Sequence, residues 1–178
     1  MLFRSRARSD ALAARAKAIV ATLAVAAWVS PLLLLPLLAL RLPAAPAPWL
    51  LWLLAVVWSA DTGALLIGRA FGRRRLAPLL SPRKSVEGFV GGIVLATLVG
   101  TATGIAQLSL PPVVVAVASA LTATAAEGGD LLESLFKRVA GAESSSTLIP
   151  GHGGVLDRID SVLIATPVAL LVALIVGG

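Results

Sequence analysis

An all-α, polytopic membrane helix bundle of about five transmembrane helices with two cytoplasmic charged loops is the fold this sequence predicts. Three observations carry that expectation. Apolar residues fill 58% of the 178 positions and charged residues 13%, where soluble domains carry about 25% charged residues. Mean hydropathy is +0.95. Uncharged stretches approaching the roughly 20 residues that cross a bilayer recur along the chain, with the charges gathered between them. A water-soluble globule and intrinsic disorder are excluded by the same numbers. No cysteine is present, which removes disulfide scaffolds, cysteine nucleophiles and thiolate metal sites; a single histidine removes multi-histidine zinc.

The first expected span is 18–40, without a charge and with a kink at Pro31 or Pro36. Its apolar run exceeds the roughly 7–15 residues of a signal peptide, so a retained helix is expected. A Pro-rich turn follows over 41–48. The second span is 49–68, with Trp49 and Trp52 as expected interface anchors. The third is 88–108, Pro111-Pro112 marks a turn, and a shorter fourth runs over 113–126. The last begins at Ser161. No charge lies between Gly88 and Ala126, so the third and fourth spans read as a helical hairpin. Gly92, Ala96, Gly100 and Gly104 recur every four residues, a spacing that lets helices approach closely. Packing within the chain is the expectation, a dimer contact the alternative. No internal repeat suggests a transporter built from two halves.

The formal charge of +6 is unevenly placed. Arg4, Arg6, Arg8, Arg15 and Lys17 precede the first span; Arg69, Arg73, Arg74, Arg75, Arg83 and Lys84 lie between the second and third. Glu127, Asp130, Glu133, Glu143, Asp157 and Asp160 gather between the fourth and fifth. With the N-terminus inside, 69–87 and 127–160 both face the cytoplasm, as the positive-inside rule asks of the basic loop. Topology alone explains that loop; phosphate binding would explain it equally.

Polar residues inside apolar runs are functional candidates by default. Asp61, twelve residues after Trp49, is the first; a helix-capping or broken-helix role is the alternative. On a helix, Asp130, Glu133 and Lys137 share one face, which also describes a solvated, ion-paired helix. Pro150-Gly151-His152-Gly153-Gly154 is flexible and lets backbone approach a ligand closely. Asp157 and Asp160 follow at a helix start, with Arg158 between them. Carboxylates of this kind suit Mg²⁺, which binds through one or two of them plus substrate phosphates; nearby Lys and Arg neutralise phosphate charge. The residues therefore point to a cytoplasm-facing, Mg²⁺-dependent site for a phosphorylated substrate, without naming it.

Four blocks in order resemble the phosphatidate cytidylyltransferase (CDP-diglyceride synthetase) family. They are Ser59-Ala60-Asp61-Thr62-Gly63-Ala64 with Gly68-Arg69-Ala70-Phe71-Gly72; the run from Ser81-Pro82-Arg83-Lys84 through Glu87 to Gly92; Glu127-Gly128-Gly129-Asp130 through Lys137-Arg138; and Ile149-Pro150-Gly151-His152-Gly153-Gly154 through Asp157-Arg158-Ile159-Asp160-Ser161. The resemblance covers about 49–170, which divides the chain into a basic N-terminus with a leading helix (1–48) and a cytidylyltransferase-like membrane catalytic domain (49–178). The chain looks like the C-terminal catalytic portion of the family behind a single leading helix.

The resemblance implies transfer of a cytidylyl group from CTP to phosphatidic acid, giving CDP-diacylglycerol and pyrophosphate, at an inner-membrane site open to the cytoplasm. It implies Asp130 and Asp157 as metal ligands with Asp160 supporting, Mg²⁺ as the cation and a second cation bridging phosphates. Lys137, Arg138 and Arg158 would bind the triphosphate. Ser81, Arg83, Lys84 and Glu87 mark a loop for phosphate of CTP or lipid, and Asp61 the lipid head-group cavity. His152, with Gly153 and Gly154, would position the loop or a phosphate. A homodimer is implied, nucleic acid is not. One departure stands out: Glu143-Ser144 replaces the family's Lys-Asp, reversing a charge beside a phosphate site. It motivates the alternative of a non-catalytic relative that binds lipid or a partner. Related enzymes acting on polyprenols or ether lipids are a further alternative.

Overall fold

The computed structural model describes residues 46–140 and 156–176 continuously, with scattered positions from 15 to 30. Most of the expected first span lies outside the described residues, as do Glu143-Ser144, His152, Gly153 and Gly154 and the side chains of Asp157 and Arg158. Four helices and one hairpin make up the rest: α1 (Pro46–Phe71), β1 (Arg75–Ala77), β2 (Ser81–Ser85), α2 (Val86–Leu108), α3 (Pro112–Ala140) and α4 (Leu156–Val176). Helices dominate because a chain this apolar must satisfy its backbone within each segment if it is to lie in lipid.

Among the described residues, three helices are long and apolar enough to cross a membrane: Ala47–Phe71, Val86–Leu108 and Pro112–Val139; Asp160–Val176 is a shorter apolar helix. This is a membrane protein, and its described part holds four of the five expected helices. The all-α expectation needs one correction. Arg75–Ala77 pairs antiparallel with Ser81–Ser85, Arg75 opposite Ser85 and Ala77 opposite Ser81, with an irregularity between. The basic loop is therefore a structured hairpin. Glu87 ties it down by accepting the backbone N–H groups of Arg73 and Arg74 at 3.0 and 3.1 Å.

The fourth span also differs. It was expected to stop near Ala126 and give way to an acidic loop, yet α3 continues to Ala140. At about 1.5 Å per residue, its 29 residues reach roughly 43 Å, beyond a hydrocarbon core of about 30 Å. Charge ends an apolar run without ending a helix, and Glu127 finds a cationic partner.

Helix ends have local causes. Ser85 N-caps α2 by accepting the Gly88 N–H at 3.1 Å. At the far end Ser109 adopts a left-handed conformation (φ 53°), and Pro112 opens α3, where its missing N–H is no loss.

Glycine lets α1 and α2 touch backbone to backbone. A Cβ on Gly92 would stand 2.7 Å from the Ala60 carbonyl oxygen, and one on Gly88 2.7 Å from that of Ala64. Gly92, Ala96, Gly100 and Gly104 are all buried, so the four-residue stripe packs within the chain as expected. Gly92→Val should lower the thermal midpoint in detergent sharply, by at least about 2 kcal/mol of stability, because backbone cannot step aside for the added methyls. An unchanged midpoint would mean that the seam opens freely.

The hollow beside Gly100 and Gly104 receives Trp52. Its indole N–H donates to the Gly100 carbonyl at 3.0 Å, and Trp49 meets it edge-on at 5.8 Å. Both tryptophans are buried, which corrects the expectation of interface anchors. They fill space that the small residues of α2 leave empty. Leu53, Val56, Val57 and Ala60 of α1 extend this core against Ala118, Ala123 and Ala126 of α3 and Ala165, Ala169 and Ala173 of α4.

Candidate active site

Lys84 sits at the end of β2, one residue before the Ser85 cap, so the hairpin and the start of α2 together fix its backbone. On α3, Glu127, Asp130, Glu133 and Lys137 follow at steps of three and four and share a face. The first turns of α4 bring Asp160 alongside, and Gly129 permits the approach: a Cβ there would lie 2.8 Å from the Asp160 carbonyl oxygen.

These elements enclose a cavity of about 750 Å³, within the roughly 300–1,000 Å³ of small-molecule sites. Asp61, Glu127, Asp130, Glu133 and Asp160 line it, and so do Arg69, Arg75, Arg83, Lys84 and Lys137. Carboxylates come from α1, α3 and α4. The cations come from α1, the hairpin and α3. The result is a lining of mixed charge at the end of apolar helices, with α3 the more acidic wall and the hairpin the basic one.

The two walls meet at Lys84. Its Nζ lies 2.8 Å from Glu127 Oε2 and 2.8 Å from Asp130 Oδ2. Burial alone would push this ammonium down, but Asp130 and Glu127 outweigh it and hold the pKa above the ordinary lysine value. Lys84 is therefore a fixed positive charge at neutral pH. Lys137 pairs with Glu133 at 3.0 Å, one helical turn away. Asp160 Oδ1 accepts the Ser161 N–H at 2.8 Å.

Carboxylate oxygens of Asp130, Glu133 and Asp160 all lie within 4.8 Å of one another. An octahedral Mg²⁺ with bonds of about 2.1 Å separates its oxygens by roughly 3–4.2 Å, and it takes hard oxygen ligands. The donor set therefore fits such a cation after small side-chain movements. Asp130 and Asp160 were expected ligands. Asp157 precedes Asp160 by three residues on α4, and its side chain lies outside the described residues.

The remaining candidates separate. Asp61, Arg83, Lys84 and Lys137 line the cavity together. Ser81 pairs with Ala77 in the hairpin and is not among the lining residues. Arg138 turns its Nε toward the Leu80 carbonyl at 3.4 Å, bracing the hairpin turn. Glu87 holds the hairpin backbone and borders a separate apolar groove between α1 and α2. Glu127 was not expected at the site, and Glu133 was expected only to share a helical face with Asp130 and Lys137. Extending that face back by one turn finds Glu127.

The sequence model of the Cytidylyltransferase family matches residues 3–176. The chain is 47% identical over 133 residues to a phosphatidate cytidylyltransferase of Haemophilus influenzae, covering 66% of this chain and 43% of that one. A phosphatidate cytidylyltransferase of Pseudomonas aeruginosa is 44% identical over 117 residues (65% and 43% covered). One of Bacillus subtilis is 42% identical over 113 residues (63% and 42% covered). The chain thus spans less than half the length of these relatives. A solved structure, an intramembrane enzyme for archaeal membrane lipid biosynthesis, superposes with a TM-score of 0.54 at 24% identity, over 71% of this chain and 84% of that one. That likeness shows a shared fold.

Proposed function

We propose that this chain, which belongs to the Cytidylyltransferase family, transfers a cytidylyl group from CTP to phosphatidic acid for phospholipid biosynthesis. One observation carries the reading: clustered carboxylates face a set of arginines and lysines in a single cavity at the end of apolar helices. The relatives named above support the choice of substrates. A lipid phosphate must stay at the membrane while a nucleotide arrives from water, and this cavity suits both.

In this mechanism a phosphate oxygen of phosphatidic acid bonds to the α-phosphorus of CTP. The bond from that phosphorus to the oxygen bridging to the β-phosphate breaks, and pyrophosphate leaves with that oxygen. The attacking oxygen is already an anion, so no strong base is needed, and catalysis rests on positioning and charge. Arg69, Arg75, Arg83 and Lys84 hold phosphates on the basic wall. Lys137 stabilises the departing pyrophosphate. Asp61 lines the entry of the lipid head group. Asp130, Glu133 and Asp160, with Asp157, would hold Mg²⁺, which neutralises phosphate charge. Arg158 keeps the triphosphate role that the resemblance implies, Arg138 would reach the triphosphate from beside the hairpin turn that it braces, and His152, with Gly153 and Gly154, would position the loop or a phosphate. Placement in the inner membrane with the cavity toward the cytoplasm is part of this reading, supported by the arginines between α1 and α2. The homodimer rests on the resemblance alone.

The test is pyrophosphate release by purified protein in mixed micelles with Mg²⁺. Release should require CTP and phosphatidic acid together and vanish in Asp157→Ala. Release with a polyprenyl phosphate or an ether lipid, and none with phosphatidic acid, would assign a different lipid. Glu143-Ser144 favours one second reading, a catalytically silent relative. Glu143→Lys with Ser144→Asp should raise turnover several-fold in a weakened enzyme; a folded double variant that stays silent would support the second reading.

A further inference from the structure

Glu127 is the most deeply buried charged side chain on the cavity wall, 3% exposed, and no step above uses it. Its Oε2 accepts from Lys84 at 2.8 Å and its backbone carbonyl from the same ammonium at 3.5 Å. Its Oε1 is buried with no hydrogen-bond partner among the described residues. That oxygen lies against α2, where a Cβ on Gly92 would come within 3.0 Å of it. Asp130 grips the other side of the ammonium at 2.8 Å, yet its side chain is 34% exposed. One cation is thus shared between a carboxylate sealed against a helix and one open to the cavity.

A buried carboxylate with an unmet oxygen is costly unless a nearby charge compensates it. Here only Lys84 lies within ion-pair distance of Glu127 among the described residues. The pair is also lopsided, because a single ammonium neutralises one carboxylate and two are present. We infer that Glu127 is a positioning residue that anchors the Lys84 ammonium on the basic wall, so that Asp130 is free to turn to a divalent cation. Without the anchor, Lys84 has Asp130 as its remaining ion-pair partner and competes with the cation for it. With the anchor, the ammonium keeps its place facing phosphate when Asp130 departs. This deepens the function proposed above and rests on its divalent cation.

The test needs no turnover. Purified protein without CTP is titrated with Mg²⁺, and the rise in thermal midpoint reports binding. Glu127→Gln should require at least about threefold more Mg²⁺ for the half-maximal rise, and Glu127→Asp an intermediate amount. Adding Lys84→Met to Glu127→Gln should return the requirement to the wild-type level or below, because no ammonium then competes for Asp130. A residue with a merely structural role gives no such reversal. In turnover assays Glu127→Gln should raise the Mg²⁺ requirement, and added Mg²⁺ should recover part of the lost turnover. A wild-type Mg²⁺ response left unaltered by Glu127→Gln and Glu127→Asp overturns the anchor alone. No Mg²⁺ response in the wild type overturns the cation reading beneath it.

Discussion

Lys84→Met should reduce turnover at least about a hundredfold and lower the thermal midpoint together. The two losses have different origins. Turnover falls because a fixed positive charge on the basic wall disappears. Preorganised charges facing a transition state are worth about 10²–10³ in rate. Stability falls because Glu127 and Asp130 lose the ammonium 2.8 Å from each. Stripping one partner from a fully buried pair costs about 3–5 kcal/mol. Asp130 is partly open to water, so about 2–3 kcal/mol is expected here. Lys84→Arg restores the charge but not the point-like geometry, and it should recover stability more fully than rate. A Lys84→Met protein with wild-type turnover would remove this residue from the chemistry.

Asp160→Asn should do the opposite to stability. Turnover should fall by about a thousandfold, within the range for loss of a group that organises transition-state charge. The thermal midpoint of metal-free protein should hold or rise. Three carboxylates whose oxygens lie within 4.8 Å repel one another when no cation sits between them. The amide keeps an oxygen to accept the Ser161 N–H and removes one charge. Sites built for function commonly give up stability in this way. Mg²⁺ should stabilise the wild type and stabilise Asp160→Asn far less. A variant that loses midpoint and keeps its Mg²⁺ response would make Asp160 a structural residue.

The apolar runs made the helices legible, because a span of lipid-compatible residues leaves the backbone few alternatives. The glycine stripe of α2 was legible for the same reason: Gly92, Gly100 and Gly104 mark where another helix must come close. The end of α3 was not, since a charge at Glu127 reads as the end of a span. Only the tertiary pairing with Lys84, 43 residues away, shows why the helix continues. The hairpin was hidden too. Arg75–Ala77 and Ser81–Ser85 lack the alternating apolar pattern of a half-buried strand, and a glutamate of the next helix pins the loop that leads into them. At the site, Asp130, Lys137 and Asp160 were readable as residue types at helical spacing, and Lys84 through the block that carries the family resemblance. The mixed identity of the cavity, five carboxylates against five cations, comes from tertiary structure that brings α1, α3, α4 and the hairpin to one lining.

The most direct measurement is the fate of label from CTP labelled at the α-phosphate, incubated with the purified protein, phosphatidic acid and Mg²⁺. Label should enter the lipid phase in step with pyrophosphate release in the wild type, and not in Asp160→Asn. Label that stays in the aqueous phase with a folded, CTP-binding wild type would contradict cytidylyl transfer at this cavity. So would transfer that survives Asp160→Asn.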